Sequence, residues 1–247
     1  MKIKQLGIVS GVALATLVTA SAAQAALVVV PPGLNPGDQY RLVFVTDGTR
    51  DATSTNINDY NNFVTNQVTG SALATQLTTA GFNLGTITWK AIGSTSATSA
   101  KVNTGTDGSQ PDVPIYLIDG NKVANNNADL WDGSIQTFIN RTQIDTSGTN
   151  SVWTGTNVGG SAQSPLGNSG FPPMVTIGSP VQTNASWINM IGLSSSNSYT
   201  LYGMSSVLTV PTPAVSVPEP SSLLGLITLG GLMLGGAVRL TGGGSDT

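Results

Sequence analysis

Tyr40-Arg41-Leu42-Val43-Phe44-Val45-Thr46 is the most strand-like stretch of the chain. β-Branched and aromatic side chains follow one another there without glycine or proline, so it is expected to lie buried within a sheet. Upstream, Asn35-Pro36-Gly37-Asp38 reads as a turn. Before that turn, Leu27-Val28-Val29-Val30 reads as an edge strand stopped by Pro31 and Pro32, which cannot donate to a ladder. Downstream, Ile57, Tyr60, Val64 and Val68 recur at helical spacing behind Asn56, a suitable N-cap. Leu73 and Leu77 predict a second short helix ending near Gly81. These apolar side chains are expected in the core.

Farther along, Ile87 to Ile92 alternates as a strand and is followed by a hydroxyl-rich loop or short helix from Gly93 to Ala100. Val113 to Ile118 runs into Asp119-Gly120 and then Val123-Ala124, the pattern of a hairpin in which glycine takes positive φ. Ala128 to Trp131 leads to Asp132-Gly133 and an apolar stripe at Ile135, Phe138 and Ile139. Val152-Trp153-Thr154 reads as a short strand, and Trp187 to Ile191 with Tyr199 to Met204 closes the domain. Gly, Ser, Pro and Asn dominate residues 159–180, which therefore read as a long surface loop suited to binding. Trp89, Trp131, Trp153 and Trp187 adjoin expected strands and are assigned to the core. The fold class is α+β, a single β-rich domain over residues 26–210 with one or two short helices and long loops.

Composition narrows the chemistry. Only 9% of the 247 residues are charged, and there is no histidine and no cysteine. The domain thus lacks disulfides, the commonest general base and the commonest transition-metal ligand. Its sole acid type is aspartate, since Glu219 lies beyond it. Between residues 26 and 217, ten aspartates face six basic residues, a balance that argues against a nucleic-acid partner.

Both ends carry export features. Lys2 and Lys4 precede an apolar stretch from Leu6 to Ala20 and the small-x-small site Ala23-Gln24-Ala25 before Ala26. Residues 1–25 are therefore expected to be a secretory signal peptide, cut by signal peptidase. Near the other end, a Pro-rich linker over 211–222 contains Val217-Pro218-Glu219-Pro220, with the chain's one glutamate held between two prolines that keep the backbone extended. An uncharged apolar segment follows at 223–238, near the lower end of the roughly 17–25 residues a membrane helix needs. The tail, 239–247, has Arg239 as its one basic residue.

These features resemble the PEP-CTERM sorting segment of Gram-negative bacteria. The resemblance implies an exosortase as processing partner, a membrane-anchored intermediate held by the C-terminal helix, and a final place at the cell surface or outside the cell. Within the domain, Trp89-Lys90-Ala91, Ile115 to Val123, Asp129-Leu130-Trp131, Val152 to Thr156 and Tyr199 to Tyr202 together resemble the endostatin-like branch of the C-type-lectin-like fold. That family usually carries cysteines near the last two phrases, where this chain has none. Gln110-Pro111-Asp112 and Trp131-Asp132-Gly133 are similar to the calcium and sugar motifs of true C-type lectins, although the second lacks an Asn-Asp pair. The resemblance implies Gln110, Asp112, Asp119, Trp131 and Asp132 as ligand or calcium contacts. No cofactor is expected; calcium, which takes carboxylate and amide oxygens of this type, is the cation the resemblance brings into question.

Two functions stand against each other. The first is a non-catalytic surface or matrix protein associated with extracellular polysaccharide. The second is a secreted, glycosidase-like hydrolase built on aspartates such as Asp119, Asp129 and Asp132, whose chemistry requires two carboxyls at a fixed separation.

Overall fold

The computed structural model describes residues 27–212. The signal peptide with Ala23, Ala25 and Ala26, the motif Val217, Pro218, Glu219 and Pro220, the apolar segment 223–238 and the tail lie outside the described residues. Among the described residues no helix is long and apolar enough to cross a membrane.

Strand β1 (Gln39–Val45) organises the fold as its sequence leads one to expect. Side chains alternate across a strand. Tyr40, Leu42 and Phe44 accordingly enter one hydrophobic cluster, and Val43 and Val45 enter another. A strand buried on both faces reads as a continuous apolar run, which is what this stretch shows.

Helices α1 (Ile57–Val68) and α2 (Ala72–Thr79) cover the first cluster. Asn56 caps α1 by accepting from Asn58 N, and Ser71 caps α2 by accepting from Ala74 N. Tyr60, Val64 and Val68 form the buried stripe of α1. The helix seats closely because the strand beneath it carries Gly203. A Cβ there would lie 2.5 Å from Phe44 Cε1 and 2.7 Å from Val64 Cγ1.

The remaining strands are β2 (Trp89–Ala91), β3 (Ile115–Leu117), β4 (Lys122–Ala124), β5 (Val152–Trp153), β6 (Met174–Gly178), β7 (Ile191–Ser194), β8 (Thr200–Ser205) and β9 (Leu208–Thr209). Short helices α3 (Ala100–Thr104) and α4 (Asn127–Leu130) lie between them. The mixed sheet runs β4-β3-β1-β8-β5-β6-β7, with β2 joined to β8 and β9 to β1. β1 is parallel to β3, pairing Val43 with Leu117, and antiparallel to β8, pairing Val43 with Met204. β8 takes β5 beside Thr200 and Leu201, and β2 beside Gly203 to Ser205. The expected hairpin joins β3 to β4, with Gly120 at φ 88°.

The second cluster packs Val43, Ile115, Leu117, Tyr202 and Met204 against Trp131 and Trp187. The Trp187 ring lies 6.0 Å from that of Trp131 and 5.9 Å from that of Tyr202. All four tryptophans are buried, as expected.

Two local expectations are corrected. Residues 159–180 are not a continuous surface loop, because β6 crosses between β5 and β7 and buries Val175 and Ile177. Its few apolar residues are hidden in the sequence by flanking Gly, Ser and Pro. The stretch from Leu27 to Val30 does not form a strand, since Val28 alone makes an isolated bridge, to Asp119. Of the apolar stripe, Ile135 and Ile139 are buried, whereas Phe138 is exposed.

Burial also couples the fold to pH. Desolvation raises the pKa of Tyr40 and Tyr202 and pushes that of Tyr60 up to about 12, even with the Arg50 guanidinium 4.2 Å from the Tyr60 ring centre. These phenols are neutral in the folded state at a pH where an unfolded chain ionises them. Their contribution to stability is therefore complete below about pH 10 and is lost as pH rises above it. Urea unfolding is expected to give a level stability up to about pH 10 and a decline between 10 and 12. A profile that stays level through that interval would contradict the burial argument.

Candidate functional site

The site starts from the one charged side chain in β1. Odd-numbered residues of β1 face the second cluster, so Arg41 points to that side at the strand's beginning, where α3 ends and β8 leaves the sheet. It is 2% exposed. Arg41 Nη1 donates to the carbonyl oxygens of Thr104 (2.9 Å) and Ser205 (3.0 Å), and Nη2 donates to that of Gly105 (3.3 Å). Thr104 and Gly105 end α3, where backbone carbonyls lack helical partners and attract a cation. Gly105, at φ 68°, supplies the left-handed turn that aims them.

Carbonyl oxygens satisfy donors without cancelling a full charge. Arg41 has no ion pair among the described residues, and its Nε has no hydrogen-bond partner there. Desolvation lowers its pKa below the ordinary arginine value. A guanidinium nevertheless stays charged in proteins, so positive potential remains at this point.

An amide pair fixes α3 against the sheet. Asn61 Nδ2 donates to Asn103 Oδ1 (2.9 Å), and Asn103 Nδ2 donates back to Asn61 Oδ1 (2.9 Å) and to the Ala91 carbonyl (2.7 Å). Ala91 N donates to Asn61 Oδ1 (2.9 Å). These bonds tie α1, β2 and α3 together, and satisfied buried polar networks specify one arrangement.

Above Arg41 opens a cleft of about 340 Å³. Lys90 from the middle of β2 lines it together with Asn103, Ser109, Gln110 and Ser206. The Lys90 ammonium has no hydrogen bond or ion pair among the described residues. No carboxylate lines the cleft. It thus joins two cations with hydroxyl and amide groups, at the small end of ligand sites, which run from roughly 300 to 1,000 Å³.

A second cavity of about 340 Å³ lies beside α1, lined by Val68, Ala74, Leu84, Ile87 and Trp89. Its hydroxyls are already engaged: Thr65 Oγ1 donates to the Asn61 carbonyl and Thr69 Oγ1 to that of Thr65. It offers apolar contact without groups to orient a ligand.

Of the residues singled out in the sequence, Gln110 lines the cleft and the others lie elsewhere. Asp112 Oδ1 accepts from Asn127 N (2.7 Å) at the start of α4. Asp119 accepts from Asn121 N and Nδ2 (3.0 Å each), bracing the hairpin turn. Asp132 Oδ1 accepts from Ser134 N (3.0 Å) and Ser134 Oγ (3.2 Å). Trp131 is buried and donates from Nε1 to Thr106 Oγ1 (2.9 Å), so it offers no open face for stacking on a sugar. Asp129 Oδ2 accepts from Asn125 N and Gln136 Nε2. Among the described residues no group of three or more acidic, histidine or cysteine side chains is placed to hold a metal ion.

Sequence reasoning missed Arg41 and Lys90 as site residues. A signal was present, since each interrupts an otherwise apolar strand. A charge inside a strand that must be buried calls for a partner, and none of the described aspartates supplies one. Compared with known protein families and with curated proteins, the sequence matches none.

Proposed function

We propose that this chain is an exported, non-catalytic surface protein whose folded domain binds extracellular polysaccharide in the cleft above Arg41 and Lys90. The cleft carries the reading: hydroxyl and amide groups converge there on two cations, while the aspartates that a hydrolase would need are engaged in local turns. The lectin-like reading draws support from placement, because Trp89 to Ala91, Ile115 to Leu117, Val152-Trp153 and Thr200 to Tyr202 all lie on strands of one sheet. Export and delivery rest on the sequence: a signal peptide at 1–25, then Val217-Pro218-Glu219-Pro220 and the apolar segment 223–238 as an exosortase substrate's sorting signal.

Two measurements test this function. The intact mass of protein recovered from cells is expected to lack residues 1–25 and the segment after the Pro-Glu-Pro motif; a mass retaining residues 221–247 would overturn the sorting reading. Full-length protein screened on an oligosaccharide panel is expected to bind without releasing product. Release of reducing sugar would replace binding with hydrolysis.

A further inference from the structure

Resting on the reading of the cleft as a polysaccharide site, we infer that its ligand is an acidic sugar, with a uronic acid carboxylate seated against Lys90 and Arg41 and ring hydroxyls bonded to the amide and hydroxyl groups around them. The domain is acidic, with ten aspartates against six basic residues, yet the cleft lining contains two of those six and none of the ten. Arg41 is almost wholly removed from water with only neutral carbonyl acceptors, and Lys90 is half-buried without a partner among the described residues. A cation partly withdrawn from water in a concave site attracts an anion more strongly, because water screens it less. A carboxylate entering the cleft would supply the counter-charge that the fold leaves out.

Lining chemistry selects among anions. Gln110 has no side-chain partner among the described residues and offers both donors and an acceptor; Ser206 Oγ, which accepts from Thr88 N, keeps its proton to donate, and Ser109 Oγ, which donates to Asp107 Oδ1, can still accept, a set that suits a ring bearing several hydroxyls. Val102 and Val207 give the apolar contact that the C–H face of a sugar ring takes. The cleft has no aromatic side chain on which a base could stack, and it lacks the extended row of cations that tracks a phosphate backbone. An acidic peptide shares the charge but not the hydroxyls, so it becomes a competing arm of the test.

The experiment is calorimetric titration of the full-length chain in mild detergent. Its probes are oligosaccharides of galacturonate, glucuronate and mannuronate, the methyl esters of the same oligosaccharides, and oligo-aspartate. At least one uronate is expected to bind, its ester to bind at least tenfold more weakly, and oligo-aspartate to bind more weakly than the uronate. Lys90→Gln is expected to weaken uronate binding about five- to tenfold, since a hydrogen bond to a charged group is worth more than a neutral one. Lys90→Glu should abolish binding, with the unfolding midpoint of both variants close to that of the parent. Added salt should weaken uronate binding and leave any ester binding unchanged. Equal binding of acid and ester, unaffected at Lys90, would overturn the acidic-sugar inference and leave polysaccharide binding standing. Tighter binding of oligo-aspartate would overturn it in favour of a peptide ligand. Absence of binding to every sugar, charged or esterified, would overturn both this inference and the function on which it rests.

Discussion

Arg41→Ala is expected to lower the unfolding free energy by about 2–5 kcal/mol, the combined scale of truncating a large buried side chain and stranding the buried acceptors it satisfies. The loss has two parts. Truncation leaves a void beneath the cleft, and it strands the carbonyls of Thr104, Gly105 and Ser205, which receive Arg41 in the folded state. Arg41→Met separates them, because it refills most of the volume and supplies no donor. It is expected to cost about 1–3 kcal/mol, the price of unsatisfied buried acceptors offset by removal of a desolvated charge. Arg41→Lys should fall nearer the parent, since an ammonium has three donors but lacks the planar fork that reaches α3 and β8 together. Urea unfolding measures all three variants. A loss below about 1 kcal/mol for Arg41→Ala would show that the guanidinium is not needed to hold α3 against the sheet.

Trp153→Ala is the second large expected loss, about 3–5 kcal/mol, which corresponds to roughly 6–20 °C in thermal midpoint for a domain of this size. Trp153 is wholly buried. Its Nε1 donates to the Arg50 carbonyl (3.0 Å), and its ring meets the Tyr199 ring edge-on at 5.0 Å. Position matters as much as size. β5 pairs with β6 on one side and with β8 on the other, so the sheet order passes through this two-residue strand. Loss of its anchor should loosen β6 and β7 before the rest of the sheet. Hydrogen exchange of the Trp153→Ala variant is expected to rise first at Met174 to Gly178 and Ile191 to Ser194; uniform loss of protection across β1 and β8 as well would show that no such weak joint exists. Trp153→Phe, which keeps most of the apolar volume but not the donor, should recover more than half of the stability.

Much of the fold was legible wherever local chemistry and tertiary burial agree. β1, α1 with its Asn56 cap, α2, the Asp119-Gly120 hairpin and the four core tryptophans all follow from periodicity, capping chemistry or positive φ. β6 was not legible, since Val175 and Ile177 are buried by the first cluster and paired with β5 and β7, all set by distant segments, and the residues flanking the strand are mostly Gly, Ser and Pro. The candidate site was legible only at Gln110. The motif resemblance and the hydrolase alternative drew attention to aspartates, and three of those named, Asp119, Asp129 and Asp132, prove to brace turns or a helix end by accepting nearby donors. Short polar side chains next to flexible backbone satisfy themselves locally, so their presence in a loop says little about a ligand.

By itself the sequence determined the chemistry available and the strand on which the domain is built. It also supplied the whole argument for export, in the residues before Ala26 and around Pro218-Glu219-Pro220. The tertiary structure alone decided that Arg41 and Lys90 share one cleft. They lie far apart in the chain and meet through β8, which pairs Met204 with both Lys90 and Val43 while its Ser205 carbonyl receives Arg41. Periodicity specifies which face of a strand a side chain takes. Which other strand's side chain stands across from it depends on register between distant segments, a property set by the packing of the whole sheet.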